Sequence, residues 1–545
     1  MKGMILAALL LMQAAGGWEE AAALLTGAAT VEDMDEGEME RFAALHEHPL
    51  DINAAARGRL ASCGLFDVFQ VEQICIYRRE HGDILSATEL GLVPGFTEKQ
   101  AQALAYFTVF RTSRPPGQRE DLAAHNSITV RGAVRSGSGT EGCAGLKYAL
   151  DIGERAGIRW STRTTYDDGR IKAGTISAAY YGRRALGKVI AGDFAARFGQ
   201  GLTQWTGFSM SGYPTIQAFR KNASGLSQTS SFTSALKGAG VQWYFKGLSL
   251  TTAAGIGNKT VKPITNLNWT GRRISSGVTF TYDPSKIESR IGADWMAGFK
   301  GISFSGEIAA AVNKAGMSPA GITSLVYTPS YGTRIAALAR YYSPGFKKDY
   351  SGLALAFENR WADVSADMAY RLDKKEAQYK LTAALAGTFG STVSIQPEAR
   401  VGFRYRPGDS KPLKTSARAS ISVRRNNLVM NARCDLQWLK GYAWLWYLEP
   451  GYVSDNGTCI KAWIRFSLFR IDNWDDRIYV YERDAPGTFN VPAYYGRGYA
   501  VSAVGSAKLN RRHSLHLRVS FISYPWNITK KDPRFEAKVQ YTVDI

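Results

Sequence analysis

Long apolar runs are what this 545-residue chain lacks. Past the first seventeen residues nothing nears the roughly eighteen consecutive apolar residues that a spanning helix needs, which excludes a helical membrane protein. Cysteine is scarce as well. Cys63, Cys75, Cys143, Cys434 and Cys459 are odd in number and scattered, which excludes a disulfide framework and ribbon-type metal spacing. The six histidines, 46, 48, 81, 125, 513 and 516, form no His-Glu-x-x-His pair. There is no Gly-x-Ser-x-Gly elbow and no glycine-rich phosphate loop after a strand. The chain is expected to be a non-enzyme, with no cofactor and no metal.

What is present divides at about residue 112. Residues 17–112 carry sixteen acidic and seven basic side chains, a net −9. With Lys2 counted separately, the total of +20 leaves +28 for the residues beyond. Such a basic body suits anionic solutes in a lumen, anionic lipid head groups at a rim, or simply solvated loop and lumen charges. Met1–Gly17 reads as a secretory signal: Lys2, an apolar core over Met4–Met12, then Ala14-Ala15-Gly16 for cleavage. Residues 18–49 form an acidic helical lead, with the run Glu32–Glu40 expected to be a solvated face. Residues 50–111 alternate short helical stretches with tight hairpins. Asn53, Ser86 and Thr97 are candidate helix caps. Residues 112–126, with Pro115-Pro116-Gly117, form a linker.

From Ser127 onward the hydrophobic period is two. Ile302, Phe304 and Ile308 alternate with Ser303, Ser305 and Glu307. Val364, Ala366, Met368 and Tyr370 alternate with Ser365, Asp367 and Arg371. The last twelve residues, Arg534–Ile545, put Phe535, Val539, Tyr541 and Val543 on one parity and Glu536, Lys538, Gln540 and Asp544 on the other. A final strand of that kind suits closure onto the first, with an apolar face to lipid and a polar face to a wet lumen. Many runs last nine to thirteen residues, the length of a tilted bilayer crossing. Tight turns at 182–185, 245–247, 299–301, 424–427 and 510–512 contrast with longer connections at 258–271, 343–350 and 484–497. No blade-length repeat supports a propeller. The expected fold is mainly β: a C-terminal transmembrane antiparallel β-barrel over 127–545, of about twenty strands (sixteen to twenty-four), preceded by a small all-α domain. The 27 tyrosines and 13 tryptophans would supply interface girdles.

Two stretches break the alternation, 192–240 and 472–499. The first is expected to fold into the lumen as a constriction built on Asp193, Arg197, Gln200 and Trp205, or to cap the mouth, with Asp193 and Arg197 placed to pair.

Ile52-Asn53-Ala54, the Tyr77-Arg78…Gly82 segment and Val93-Pro94-Gly95 resemble the tandem helix-hairpin-helix module of competence-type proteins. That resemblance implies hairpin residues Gly64, Leu65, Phe66, Pro94, Gly95, Phe96 and Thr97, flanked by Lys99, Arg78 and Arg79, as a surface for DNA phosphate or a protein partner. Each hairpin here has one glycine rather than two, and residues 51–111 hold six basic against seven acidic side chains, which favours protein over DNA. Over nearly the whole chain, Gly192-Asp193-Phe194…Gly201-Leu202 and Arg477-Ile478-Tyr479…Val491-Pro492…Gly498 resemble outer-membrane proteins of Bacteroidota that join such a module to a barrel. The resemblance implies an outer-membrane location with the helical domain in the periplasm. Membrane lipid and a periplasmic protein are the expected partners. A pore or transport/assembly role stands first; DNA uptake and a barrel-anchored surface or adhesion protein are the alternatives.

Overall fold

The computed structural model describes residues 17–545 apart from 113–122, 138, 165–169, 208–211, 230–234, 258–259, 300, 331, 348, 391, 455–458 and 528–530. The signal segment and most of the linker lie outside the described residues.

Alternation becomes a wall. Between Ala124–Ser136 and Arg534–Asp544 the wall strands pair antiparallel with their neighbours and the sheet closes on itself, while Ile478–Tyr479 and Ala493–Tyr494 pair apart from it. The last strand meets the first in continuous register, from Phe535↔Ser136 to Asp544↔Ser127. Twenty-four strands span the wall, above the expected twenty and at the upper end of the range. The short strand Gly225–Gln228 is extra: it pairs only with Phe194–Arg197. Part of the undercount lies at 258–271, expected as a loop. It forms strand Thr260–Thr270, because Val261, Leu267 and Trp269 share one face and Ile264, Asn266 and Asn268 the other.

The faces are inverted relative to a soluble sandwich. Leu267, Ile291, Leu353, Leu355, Leu381 and Ile464 are exposed on the outside, whereas Asn266, Asn268, Ser305, Asp367, Arg433 and Arg465 are buried inside. No second protein layer covers the outer apolar side chains among the described residues. A strand of 11 residues rises about 36 Å and, tilted by about 40°, spans about 28 Å, the height of a hydrocarbon core. Aromatics collect at both ends of the belt: Phe245, Trp269, Phe299, Tyr452 and Tyr541 near one rim, Tyr341, Tyr370, Tyr405, Trp438 and Tyr442 near the other.

An even strand number brings the first strand's start and the last strand's end to one rim, here the terminal rim. All five tight turns named above lie on that rim, and the connections 198–235, 343–350 and 472–495 lie on the far one.

The helical segment is compact. Helices α1 (Trp18–Thr26), α2 (Glu36–Glu47), α3 (Arg57–Ser62), α4 (Val68–Glu80), α5 (Ala87–Leu90) and α6 (Glu98–Leu104) surround Phe42, Ile52, Leu60, Phe66, Ile74 and Phe107. Asp67 and Thr97 cap α4 and α6 through reciprocal bonds with Gln70 and Gln100, and Ser86 caps α5. Asn53 is not a cap: its amide bridges Ile84 to the carbonyl of Arg111.

Candidate functional site

A wall of 24 strands spaced about 4.8 Å apart and tilted about 40° would, if circular, be about 48 Å across between backbones. Side chains alone cannot close such an opening. Here the chain's own N-terminal helices occupy it, so the helical segment is not a free-standing domain below the barrel. Its acidic residues find basic partners on the wall and on the connections that fold in from it. Glu40 pairs with Lys147 and Asp67 with Arg220. Glu38 meets Arg197 at 2.9 Å, Glu80 meets Arg272 at 2.5 Å and Glu19 meets Arg483 at 3.5 Å. Two contacts run the other way, Arg59 to Glu154 at 2.8 Å and Lys99 to Glu358 and Asp363 at 3.6 and 3.5 Å.

Glu32 is the centre of this set. It is 7% exposed and lies between Arg433 and Arg418, the latter at 3.4 Å, and it accepts the Tyr481 amide at 3.1 Å. Desolvation works to raise its carboxyl, but the two guanidiniums outweigh burial and hold Glu32 below the usual carboxylate range. Asp435 holds the same two arginines from the wall side, at 2.9 and 2.6 Å. The run Glu32–Glu40, expected as a solvated face, is instead an interface.

Both pattern-breaking stretches fold inward from the far rim. In the first, Glu307 of the wall accepts the amides of Gln200, Leu202 and Thr203 at 2.6, 3.0 and 2.9 Å. Ile216 and Phe219 pack on the inward alanines Ala309, Ala311, Ala336 and Ala354. In the second, Arg131 donates to the carbonyl of Pro486 at 2.7 Å, Lys538 pairs with Asp484 at 2.8 Å, and Arg465 donates to the carbonyl of Tyr481 at 2.7 Å. The two loops grip the helices from above. Gly27 ends α1 at φ +79°, and a Cβ there would lie 2.8 Å from the Ala218 Cα, so only glycine lets the helix seat on the loop. Near the terminal rim, a Cβ on Gly58 would sit 2.3 Å from the Gly187 carbonyl oxygen. Beside it Lys188 is fully buried and donates to Ser62 Oγ and the Leu226 carbonyl, each at 2.8 Å.

The expected constriction residues are all internal, with different partners. Arg197 pairs with Glu38, not with Asp193, and stacks 5.3 Å over Trp205. Asp193 accepts the Ile176 amide at 2.7 Å. Gln200 accepts the Lys221 amide at 3.0 Å. The first expected hairpin is packed inward, whereas Pro94 and Gly95 of the second are exposed. Leu65, Phe66 and Phe96 are buried, and the Gly64 carbonyl accepts from Asn222 at 2.8 Å. The Gly95 carbonyl, beside Pro94, accepts from Gln70, Thr97 caps α6, and Lys99 faces two carboxylates. Arg78 donates to the Ala55 carbonyl at 2.9 Å; Arg79 is exposed.

The helices do not fill the whole section. A cavity of about 2050 Å³ remains along one flank, lined by Lys99, Arg334, Glu358, Trp361, Arg400, Arg418 and Tyr447. A second, of about 430 Å³, lies under the first loop among Arg41, Trp205, Lys221, Lys262, Arg290 and Lys380. Glu32, Glu307, Arg418, Arg433 and Arg483 hold the helices and the inward loops in place and were not singled out by spacing. The signal that could have found them is the opposite charge of the two parts of the chain.

No family model matches the chain, and no curated protein matches it. Among solved structures, the P pilus usher (PapC) translocation pore aligns over 77% of this chain and 99% of its own at 9% identity and a TM-score of 0.41. Pseudomonas aeruginosa OccK3 (OpdO) aligns over 78% and 97% at 11% identity and a TM-score of 0.30. OccK5 (OpdH) of the same organism aligns over 77% and 98% at 10% identity and a TM-score of 0.30.

Proposed function

We propose that this protein is an outer-membrane barrel acting as a transport or translocation channel, held shut by its own N-terminal helices. The observation that carries the reading is the clamp of Arg418 and Arg433 on Glu32, set among a circumference of opposite-charge contacts. The bare apolar belt supports the membrane location. Short turns are a periplasmic feature of such barrels, so the terminal rim faces the periplasm and the hairpins occupy the periplasmic mouth. Ion pairs rather than an apolar core hold the helices to the wall. Such contacts are reversible by charge competition, which suits a gate better than a permanent seal. Leu85 and Leu92, near the second hairpin, are the exposed large apolar side chains of the described helical segment, and they favour a periplasmic protein as the partner that releases it. DNA uptake would require the same helices to leave the wall first.

The test is liposome swelling. Vesicles with the full chain should stay sealed to a small sugar. Vesicles with the triple variant Glu32→Gln, Glu38→Gln, Glu40→Gln should admit it. A triple variant that folds, as judged by heat-modifiable gel mobility, and stays sealed would overturn the gate.

A further inference from the structure

We infer a divalent transition-metal site at the seam of the barrel, formed by His48, His125 and Asp544. The three residues are remote in sequence, and three separate parts of the fold bring them together. His48 follows α2 on the plugging segment. His125 lies near the start of the first wall strand and Asp544 near the end of the last, where that strand closes onto the first. Along the closing strand Gln540, Thr542 and Asp544 alternate with outward residues, and Thr542 Oγ1 lies 3.1 Å from Thr129 Oγ1 on the inner face. His125 shares the parity of Thr129 and Arg131 and so also faces the lumen.

One ligand atom from each residue lies within 4.8 Å of the other two. Asp544 Oδ1 is 4.0 Å from His48 Nε2 and 3.8 Å from His125 Nε2. The two imidazoles meet edge to face at 4.7 Å between centroids. These separations are too long for hydrogen bonds. Nε2 of His125 and Oδ1 of Asp544 are both screened from solvent and have no hydrogen-bond partner. Two such atoms aimed at one point, with no proton shared between them, cost free energy unless something sits there. A tetrahedral ion with ligands at about 2.0–2.1 Å holds its donors about 3.4 Å apart, so closing on a metal needs shifts of under about 1.5 Å. Nearby Arg159 is held bidentate by Asp151 at 2.7 and 2.8 Å and does not serve Asp544.

Two imidazoles and one carboxylate suit zinc and its neighbours in the first transition row rather than calcium or magnesium, which take oxygen. With three protein donors, water completes the shell. The ion would join the helical segment to both ends of the wall, a further kind of contact beside the ion pairs. The site needs only the docked helices, not the transport role. Sequence spacing could not show it, and the expectation of no metal is revised on this geometry.

The test uses the full chain in detergent, purified without a polyhistidine tag and stripped with chelator. Calorimetric titration with Zn2+ should show one ion per chain. Co2+ should give the visible absorption of a low-coordinate nitrogen–oxygen site. His125→Ala and Asp544→Asn, each checked for heat-modifiable mobility, should weaken binding by more than about 100-fold, while His516→Ala leaves it unchanged. A full chain that binds no Zn2+ at micromolar concentration would overturn the site. So would binding that survives either substitution, or binding lost equally in His516→Ala.

Discussion

A single carboxylate shows how the closure works. Glu32 is buried with two guanidiniums, and its removal leaves them short of one countercharge. Glu32→Gln should weaken docking of the helices by about 3 kcal/mol, the lower end for breaking a buried pair, because Asp435 still holds both arginines. Brief openings in bilayer recordings are the readout. The pH dependence follows from the sign of the shift. A carboxyl whose pKa is depressed by docking contributes stability that is complete above its ordinary value of 4.5 and is lost as pH falls through the lower, docked value. The Glu32 contact should therefore persist at pH 4, where a solvated glutamate is mostly protonated. Hydrogen exchange of Val31–Asp33 that accelerated already at pH 5 would contradict this. At this scale the sequence was hardest to read. Glu32 sits in an acidic run, which is ordinarily a solvated face, and nothing local marks it. The same holds for His48, His125 and Asp544, which only the closing of the barrel brings together.

Elements were more legible, because period two needs no tertiary information. The outward parity of strand Ser351–Glu358 carries Leu353, Leu355 and Phe357, and all three are bare in the structure. Leu355→Arg, near the middle of that strand, should cost about 2–4 kcal/mol of folding stability in bilayers, whereas a rim substitution should cost about 1 or less. Urea titration of refolded protein in vesicles measures the difference; equal costs would mean that this face does not meet hydrocarbon. Helix caps were legible at Ser86 and Thr97, where side chain and sequence position suffice, and failed at Asn53, whose amide is used in a long-range bridge. Strand Thr260–Thr270 was missed because Pro263 and two asparagines read as loop. In a barrel, asparagine on the inward parity is ordinary lining. Helix α3 meets the wall with no gap at Gly58. Gly58→Val should therefore undock it, at a cost of about 3 kcal/mol. Faster exchange of residues 57–62, with the wall strands unchanged, is the expected pattern.

For the whole molecule, the clearest sequence signal is the split of charge between head and body. A head at −9 before a body at +28 reads as attraction to outside anions. In the fold the two parts attract each other, the acidic segment sitting inside the basic wall. Strand number explains why. Twenty-four strands enclose more space than side chains fill, so the lumen must be wet, or plugged by something of opposite charge. Of the two stretches that break the alternation, the first was expected to enter the lumen or cap the mouth, and the second only to interrupt the strand pattern. Both turn inward and meet the helices. Single-channel recording in planar bilayers tests the closure most directly, comparing the full chain with a chain lacking residues 18–111. The truncated barrel should conduct steadily at low voltage and the full chain should stay closed. A full chain as conductive as the truncated one, or a folded truncated barrel that passes no current, would contradict a lumen closed by its own helices.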